Sequence, residues 1–279
     1  MVTTAATVVV ATATAAVAER ITDYGDAMIR VGVVGAAGRM GATVCDAVAA
    51  ADGLELVAAV DTVGGGTVHG ITVSRELRAL AEAGAEVVVD FTVASAARDT
   101  LPWLALHGMH AVVGTTGFSD GDIDAFRAAF TGSNCLVAAN FAIGAVLMMK
   151  FAEQAAPWFE TAEIIEFHHN AKADAPSGTA MATARRMAAA SSEWAADPTK
   201  HEVLPGARGG EGPAGIRVHG VRMVGMTASQ EVILGTEGQT LVIRHDSNDR
   251  VSFMPGVVLA CRRVASLSGR FTLGIDSLL

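Results

Sequence analysis

The sequence is poor in aromatic residues, in cysteine and in positive charge, and each shortage excludes a class of protein. Aromatic residues make up only 5% of the 279 residues, so the core must be built mainly from aliphatic side chains and Met. The three cysteines, Cys45, Cys135 and Cys261, are widely spaced and form no CxxC pair, which argues against a disulfide framework or a metal site. They are typical of reduced core thiols in a cytoplasmic protein.

The charge balance is acidic, with 20 basic and 29 acidic residues and a net charge of -9. This balance argues against nucleic acid as a partner, because a phosphate backbone requires a basic face. A few local cations can still bind a small anionic molecule. The hydrophobic fraction of 51% is high enough for a sizeable core and excludes a chain that is disordered throughout.

The first 27 residues differ from the rest of the chain. Val2 to Ala18 carries no charge and contains five threonines, so it lacks the positive start of a signal peptide and is too polar for a membrane helix. We therefore expect no membrane partner and predict that residues 1–27 form a disordered extension. The first convincing strand follows directly after Met28.

From Met28 onward, short β-rich segments alternate with helical segments. The near-continuous apolar composition of the strands predicts burial on both faces. Strands that alternate with helices predict right-handed βαβ units and a parallel, doubly wound sheet of the nucleotide-binding kind. The predicted strands are Ile29–Val34, Leu54–Asp61, Glu86–Phe91, His110–Gly114 and Cys135–Ala139, and the helices are Arg39–Ala50, Ser95–Leu106 and Asp120–Phe130.

The pattern changes after Asn140, where longer helices and consecutive strands predict a separate α+β domain. The alternation Val218/Gly220/Arg222 is interpreted as an exposed sheet face. The predicted division is a dinucleotide-binding domain of residues 28–139 and 246–279, and a second domain of residues 140–245. Its elements are the helices Phe141–Phe159 and Ser177–Trp194 and the strands Ala162–Phe167, Ile216–Met223, Gln230–Leu234 and Thr240–His245, after which Gly256–Ser266 and Phe271–Ile275 return to the first domain.

A glycine-rich turn follows the first predicted strand. The sequence from Gly35 to Gly41 has the spacing GxxGxxG, which allows a tight turn and lets backbone N–H groups approach a pyrophosphate at a helix N-terminus. Asp61 lies 20 residues beyond Gly41, at the end of the next strand, where an acid binds the ribose hydroxyls of a nucleotide. Together these features predict a nicotinamide dinucleotide site.

Polar segments follow the later strands of the predicted sheet as well. Asp90-Phe91-Thr92, Gly114-Thr115-Thr116-Gly117 and Asn140 each lie at the carboxyl end of a strand, the edge where open α/β sheets bind ligands. Phe141 is interpreted either as a contact of the nicotinamide or as a core residue.

The segment from Glu166 to Ala180 is the richest in reactive side chains. Ser177 is a natural N-cap, and the N–H groups of Gly178 and Thr179 are placed to hold a carboxylate. Lys172 adds a positive charge nearby, and His168 is a proton donor that titrates near neutrality. A metal site is not predicted, because no further His or Cys cluster supplies a third ligand. Arg244 and His245 are weaker signals, typical of a solvated strand.

The sequence resembles the dihydrodipicolinate reductase family. The resemblance covers Met28 to Leu279, and its most specific part is EFHHNAKADAPSGTA at Glu166–Ala180. The other matching stretches are VGVVGAAGRMG at Val31–Gly41, DFT at Asp90–Thr92, GTTGF at Gly114–Phe118 and AANFAIG at Ala138–Gly144.

The resemblance implies a Rossmann-type domain built from both chain ends and a central domain that binds substrate and forms a homotetramer. It implies reduction of 4-hydroxy-tetrahydrodipicolinate, a small dicarboxylate, by NADH or NADPH, with His168 as proton donor and Lys172 as catalytic cation. The implied substrate-binding residues are His169, Lys172, Ser177, Gly178 and Thr179. The cofactor-binding residues are Gly35, Ala36, Ala37, Gly38, Arg39, Met40, Gly41, Asp61, Phe91, Thr92, Gly114, Thr115, Thr116, Ala138, Ala139, Asn140 and Phe141.

One departure from the family concerns cofactor choice. Some members carry an Arg after the acid of the second strand, which grips the 2′-phosphate of NADPH, whereas Thr62 follows Asp61 here. Arg39 is a candidate to compensate in part. Two alternative functions stay open from the residues alone: another two-domain dehydrogenase acting on an amino acid or semialdehyde, and a non-catalytic nucleotide-sensing regulator.

Overall fold

The structure is a computed structural model that describes residues 28–279, so the predicted extension lies outside the described residues. The described chain forms two compact units. The first comprises the described residues up to Val113 together with Gly117–Leu136 and Val258–Thr272. The second comprises Gly114–Thr116, Val137–Val257 and Leu273–Leu279.

An eight-stranded sheet forms the centre of the first unit, in the order β13-β7-β6-β5-β1-β2-β4-β3. β1 pairs in parallel with β2 and β5, and β5 pairs in parallel with β6, which confirms the parallel sheet that the strand–helix alternation predicts. The strands are β1 (Ile29–Val34), β2 (Leu54–Val60), β3 (Thr67–Val68), β4 (Ile71–Ser74), β5 (Val87–Asp90), β6 (His110–Val113), β7 (Cys135–Val137) and β13 (Phe271–Leu273).

Three helices of the first unit lie between its strands where the sequence predicts them, and a short helix at Arg78–Glu82 was not predicted. β5 is buried at all four positions, as the apolar composition predicts for a strand covered on both faces. Cys45, Cys135 and Cys261 are free and buried, in agreement with their interpretation as core thiols. The helices are α1 (Arg39–Ala50), α2 (Arg78–Glu82), α3 (Ala94–Leu106) and α4 (Asp120–Ala129), and α7 (Met254–Arg263) begins in the second unit and ends in the first.

The second unit contains a five-stranded sheet in the order β12-β11-β8-β10-β9. β8 pairs in parallel with β10 and antiparallel with β11, and helix α5 packs against α6 and β12. The elements are α5 (Ile143–Ala155), β8 (Thr161–His168), α6 (Gly178–Ala190), β9 (Gly210–Glu211), β10 (Arg217–Arg222), β11 (Ala228–Thr236) and β12 (Gln239–Ser247).

Several elements differ from the sequence-based prediction. The helix predicted over Phe141–Phe159 is shorter, because Pro157 lies in a 3₁₀ turn that ends it. The interpretation of Val218 and Arg222 as an exposed face is wrong: Val218 is buried, and Arg222 pairs with a buried carboxylate. The second unit also extends beyond the predicted boundary at residue 245, because β12 continues to Ser247 and the chain stays in this unit up to Val257.

Candidate active site

The glycine-rich turn forms a close backbone crossing between β1 and α1. Gly35 has a φ of +85°, which only glycine adopts without strain. A Cβ atom on Gly41 would lie 1.9 Å from the carbonyl oxygen of Gly35, so the helix can approach the turn only with glycine at this position. No side chain caps the N-terminus of α1 at Gly38. The first N–H groups of this helix are therefore suited to an anion.

Asp61 lies at the end of β2 beside this turn. One carboxylate oxygen accepts a hydrogen bond from the backbone N–H of Ala37 at 3.0 Å, and the other accepts one from the N–H of Val63 at 2.9 Å. The carboxylate therefore ties the glycine-rich turn to the loop after β2. It is half-buried, so part of it stays accessible to a ligand.

A cleft of about 410 Å³ opens at this edge of the sheet, and we call it the nucleotide cleft. It contains five of the predicted cofactor residues and one cation that sequence analysis missed, Arg75. Arg39, the candidate to compensate for Thr62, is exposed and does not line it. The lining residues are Val34, Gly35, Gly38, Val60, Asp61, Thr62, Arg75, Leu77, Phe91, Thr92, Val93, Ala96 and Thr100.

The turn after β5 is fixed by a buried acid. Asp90 is fully buried and accepts hydrogen bonds from the N–H of Thr92 at 3.1 Å and from its hydroxyl at 2.8 Å. This bonding places Phe91 and Thr92 on the wall of the nucleotide cleft.

The remaining predicted cofactor residues follow the later strands. Gly114, Thr115 and Thr116 come directly after β6, where Thr115 is buried and Thr116 exposed. Ala138 to Phe141 come after β7, and Phe141 is buried. These two segments do not line the nucleotide cleft, and Asn140 lines a cavity of the second unit instead.

The centre of the second unit is a buried carboxylate that holds a histidine. Glu166 on β8 is fully buried and accepts hydrogen bonds from Nη1 and Nη2 of Arg222, at 3.0 and 2.7 Å. It also bonds to Nδ1 of His168, two residues further along the same face of the strand. This arrangement fixes the ring of His168 and leaves its Nε2 atom for a ligand.

Burial lowers the pKa of His168 below its usual value, although the neighbouring carboxylate of Glu166 opposes this effect. The imidazole is therefore mainly neutral near pH 7 in the unliganded protein. A ligand with negative charge favours the protonated form, so binding of an anion and protonation of His168 are coupled.

The N-terminus of α6 lies beside this histidine. Ser177 is the N-cap and accepts a hydrogen bond from the N–H of Ala180 at 3.2 Å, as predicted. Its own N–H donates to Glu166, so the buried carboxylate positions the helix start and His168 together. A Cβ atom on Gly178 would meet no protein atom within 4 Å, which leaves open space in front of the first turn.

Lys172 and His169 lie on the loop between β8 and α6. Nζ of Lys172 bonds to both carboxylate oxygens of Asp174, at 2.7 and 2.9 Å. This pairing lowers the pKa of Asp174. His169 is exposed. Lys172, His169 and Gly178 do not line the neighbouring cavity in this conformation.

That cavity, which we call the ligand cavity, has a volume of about 40 Å³. Since about 10–15 Å³ holds one water molecule, it accommodates one edge of a small ligand. It brings together His168, Ser177 and Thr179 of the predicted set, and His245, for which sequence analysis gave only a weak signal. The lining residues are Asn140, Ala145, Met148, His168, Ser177, Thr179, Ala228, Ser229, Gln230, His245, Ser247 and Phe253.

Glu166 and Arg222, the two residues that hold His168 in place, were missed from the sequence. Glu166 is the first residue of the segment Glu166–Ala180. It lies two residues before His168 on a strand, and this spacing predicts that both side chains are on the same face. Arg222 carries no such signal, because its pairing depends on the register that sets β10 beside β8.

Two absences concern the described part of the chain. No helix between residues 28 and 279 is long and apolar enough to cross a membrane. Over the same residues, no group of three or more His, Cys, Asp or Glu side chains is placed to hold a metal ion.

Comparisons with known proteins cover both units. The family models for the N-terminus and the C-terminus of dihydrodipicolinate reductase match residues 29–141 and 144–279. A 4-hydroxy-tetrahydrodipicolinate reductase from Thermobifida fusca is 54% identical over 259 residues, which is 90% of this chain and 99% of the relative. The enzyme of the same name from Nocardia farcinica is 50% identical over 258 residues, 90% of this chain and 98% of the relative.

Solved structures agree with this result. A dipicolinate-bound dihydrodipicolinate reductase from Paenisporosarcina sp. TG-14 has a TM-score of 0.80 and 35% identity, and the match covers 90% of this chain and all of that one. A probable dehydrogenase from Thermotoga maritima, at 12% identity and a TM-score of 0.58 over 89% of this chain and 92% of its own, shares the fold alone. The chain therefore belongs to the dihydrodipicolinate reductase family.

Proposed function

We propose that this chain reduces 4-hydroxy-tetrahydrodipicolinate to tetrahydrodipicolinate with NADH or NADPH and release of water, a step of diaminopimelate and lysine biosynthesis. The observation that carries the proposal is the ligand cavity, where the carboxylate-fixed His168 and the N-terminus of α6 border the same space. The relatives at about 50% identity carry the name of this activity, and a relative at 35% identity binds dipicolinate.

The N-terminus of α6 binds a substrate carboxylate. The N–H groups of Gly178 and Thr179 and the hydroxyl of Ser177 donate to the carboxylate oxygens, aided by the positive end of the helix dipole. His169 and Lys172 bind the substrate carboxylates from the preceding loop. The ammonium group of Lys172 is paired with Asp174 in the unliganded protein. Lys172 therefore breaks this ion pair when it binds a substrate carboxylate.

His168 supplies the proton of the reaction. Loss of the C4 hydroxyl and a neighbouring C–H proton as water gives a conjugated imine. Addition of hydride to this imine places negative charge toward the ring nitrogen, and a positioned acid stabilises this charge as it develops. Glu166 orients the ring through Nδ1, so Nε2 is the atom that donates. Lys172 adds electrostatic stabilisation at the same place.

The residues around the nucleotide cleft fit a nicotinamide dinucleotide. The close backbone approach that requires glycine at Gly35 and Gly41, together with the uncapped N-terminus of α1, suits a pyrophosphate. Asp61 would bind the ribose hydroxyls, and Phe91 and Thr92 line the same cleft. When bound, the reduced nicotinamide supplies the hydride.

The direct test is a turnover assay with the substrate generated enzymatically in place, because it is unstable. We expect oxidation of NADH or NADPH that depends on the dicarboxylate. Amino acids and aspartate semialdehyde serve as control substrates for the alternative dehydrogenase. Turnover of a control substrate but not of the dicarboxylate would show that the chain is the alternative dehydrogenase. Nucleotide binding without any turnover would favour the alternative of a nucleotide-sensing regulator.

We propose in addition that the second unit forms a homotetramer. β12 is an edge strand of its sheet and exposes Leu241 and Val242, at 37% and 51%. Apolar residues on an open edge are typical of a surface that another subunit covers. Light scattering coupled to gel filtration tests the subunit number.

A further inference from the structure

Gln230 on β11 is a buried polar residue that the proposed mechanism does not use. It is 4% exposed and lines the ligand cavity together with His168 and Thr179. Among the residues that the structure describes, no group donates a hydrogen bond to its amide oxygen Oε1. Buried acceptors in proteins are almost always paired, so an unpaired one on a cavity wall indicates a ligand donor.

The neighbouring hydrogen bonds decide which end of the amide is the oxygen. The hydroxyl of Thr183 donates to the carbonyl oxygen of Thr179 at 2.8 Å, and this uses its only hydrogen. Thr183 must therefore accept from the amide of Gln230, which lies 2.7 Å away. The bonded end is the nitrogen Nε2, and Oε1 is the end that stays available.

The two sides of the ligand cavity thus differ in hydrogen-bonding character. The α6 side donates, through the first-turn N–H groups and the hydroxyl of Thr179, whose oxygen already accepts from Asn140 at 3.3 Å. The β11 side accepts, through Gln230. Carboxylates satisfy the donating side, whereas the accepting side requires an O–H or N–H group of the ligand.

The chemistry of the proposed substrate class contains one such group. In 4-hydroxy-tetrahydrodipicolinate both carboxylates are ionised, and the ring nitrogen is an imine without hydrogen. The hydroxyl on C4 is then the only hydrogen-bond donor of the dianion. The product of reduction has lost this hydroxyl.

We propose that Gln230 accepts a hydrogen bond from the C4 hydroxyl of the substrate and is the residue that distinguishes the hydroxylated dicarboxylate from the product. The inference rests on the proposed function. Loss of the hydroxyl leaves Oε1 buried and unpaired again, so the same residue that favours substrate binding disfavours retention of the product. Thr183 acts as a positioning residue, because it fixes the orientation of the amide.

The test compares two stable ligands, cis-piperidine-2,6-dicarboxylate and its 4-hydroxy derivative in both C4 configurations. Neither saturated ring accepts a hydride, so binding is measured by calorimetry on the full chain with saturating NADH. We expect one hydroxylated epimer to bind about tenfold more tightly than the parent compound, the upper range for one neutral hydrogen bond.

The variants separate recognition from structure. Gln230→Met keeps the side-chain length without the acceptor, and should abolish the preference while leaving affinity for the parent compound within about twofold. Thr183→Val should reduce the preference because the amide is free to turn, and Thr183→Ser should retain it. This pair keeps the test valid if Gln230→Met fails to fold.

Each remaining outcome overturns the inference. No preference in the wild type, a preference that survives Gln230→Met, or an equal loss of affinity for both ligands would show that Gln230 is structural. Binding of both ligands without discrimination would leave the proposed function intact. Failure of the wild type to bind either ligand, together with absent turnover, would remove the proposed function as well.

Discussion

At the scale of single residues, the ion pair of Glu166 and Arg222 organises the candidate site. Both side chains are shielded, at 0% and 19% side-chain exposure, and the carboxylate also bonds to His168 and to the N–H of Ser177. A buried charge that loses its partner costs about 3–5 kcal/mol. The pair therefore couples the fold of the second unit to the position of the proposed proton donor.

His168 and Lys172 are predicted to act on turnover and not on the nucleotide. His168→Ala should lower kcat by about 10²–10⁴, the usual cost of losing a positioned acid. Lys172→Ala should lower kcat and raise the substrate KM, because the lysine binds a carboxylate and stabilises developing charge. Steady-state kinetics measure both effects, and NADH affinity by fluorescence is the control. A variant that is folded and turns over normally would show that its residue is a bystander.

Ligand binding is predicted to take up protons near pH 7. Burial lowers the pKa values of His168 and His245, so both are mainly neutral in the free protein, and a bound dianion raises them again. Affinity for dipicolinate should therefore rise as the pH falls from 8 toward 6. Calorimetry in buffers of different ionisation enthalpy counts the protons. His168→Gln and His245→Gln assign them, and affinity that is independent of pH would contradict the prediction.

Cofactor choice is predicted to depend on Asp61 and Arg75. Asp61 favours the free ribose hydroxyls of NADH, while Arg75 on the same cleft offers a cation for the 2′-phosphate of NADPH. We expect NADH to be used at least as well as NADPH. Arg75→Ala should weaken NADPH binding about threefold to tenfold and leave NADH unchanged.

Arg39→Ala is the matched control, since Arg39 lies outside the cleft lining. An NADPH preference above about tenfold in the wild type would refute the expectation. A larger effect of Arg39 than of Arg75 would assign the phosphate to the helix start instead.

At the scale of elements, two helix N-termini carry the ligand sites, and their glycines differ in what surrounds them. Gly41→Ala should disrupt the first unit, because the new Cβ would lie 1.9 Å from a backbone carbonyl. Gly178→Ala should leave folding intact, since that Cβ meets no protein atom, but should weaken dicarboxylate binding by occupying the space before α6.

Thermal melting and dipicolinate titration measure these effects, and Gly66→Ala, where a Cβ also meets nothing, is the control. Equal dicarboxylate affinity in Gly178→Ala and the wild type would place the carboxylate elsewhere.

The sequence predicts the long elements of this fold because their periodicity and apolar runs are local. It does not predict β3, β4 and α2, since a strand of two residues and a helix of five are too short to show a period. Ser177 and His168 were found because capping and proton transfer belong to single residue types. Gln230 and Arg222 were not, because their roles arise from strand register and from bonds to distant partners.

At the scale of the whole molecule, residues 1–27 are predicted to be dispensable. The first strand begins at Ile29. The match to the Thermobifida fusca relative spans 99% of that protein but only 90% of this chain. A chain that starts at Met28 should keep its melting temperature and its kcat. Circular dichroism and the turnover assay measure both, and insolubility or a large drop in melting temperature would show that the extension is structural.

The last residues of the chain complete both compact units. Phe271–Leu273 adds the edge strand β13 beside β7, and Asp276 bonds to Arg186 at 2.6 Å and to Lys150 within the second unit. Neither unit is therefore complete while the ribosome still holds the C-terminus. A chain ended early by a premature stop leaves a sheet edge uncovered and removes Asp276 from Arg186 and Lys150, so we expect it to be degraded faster than the full chain.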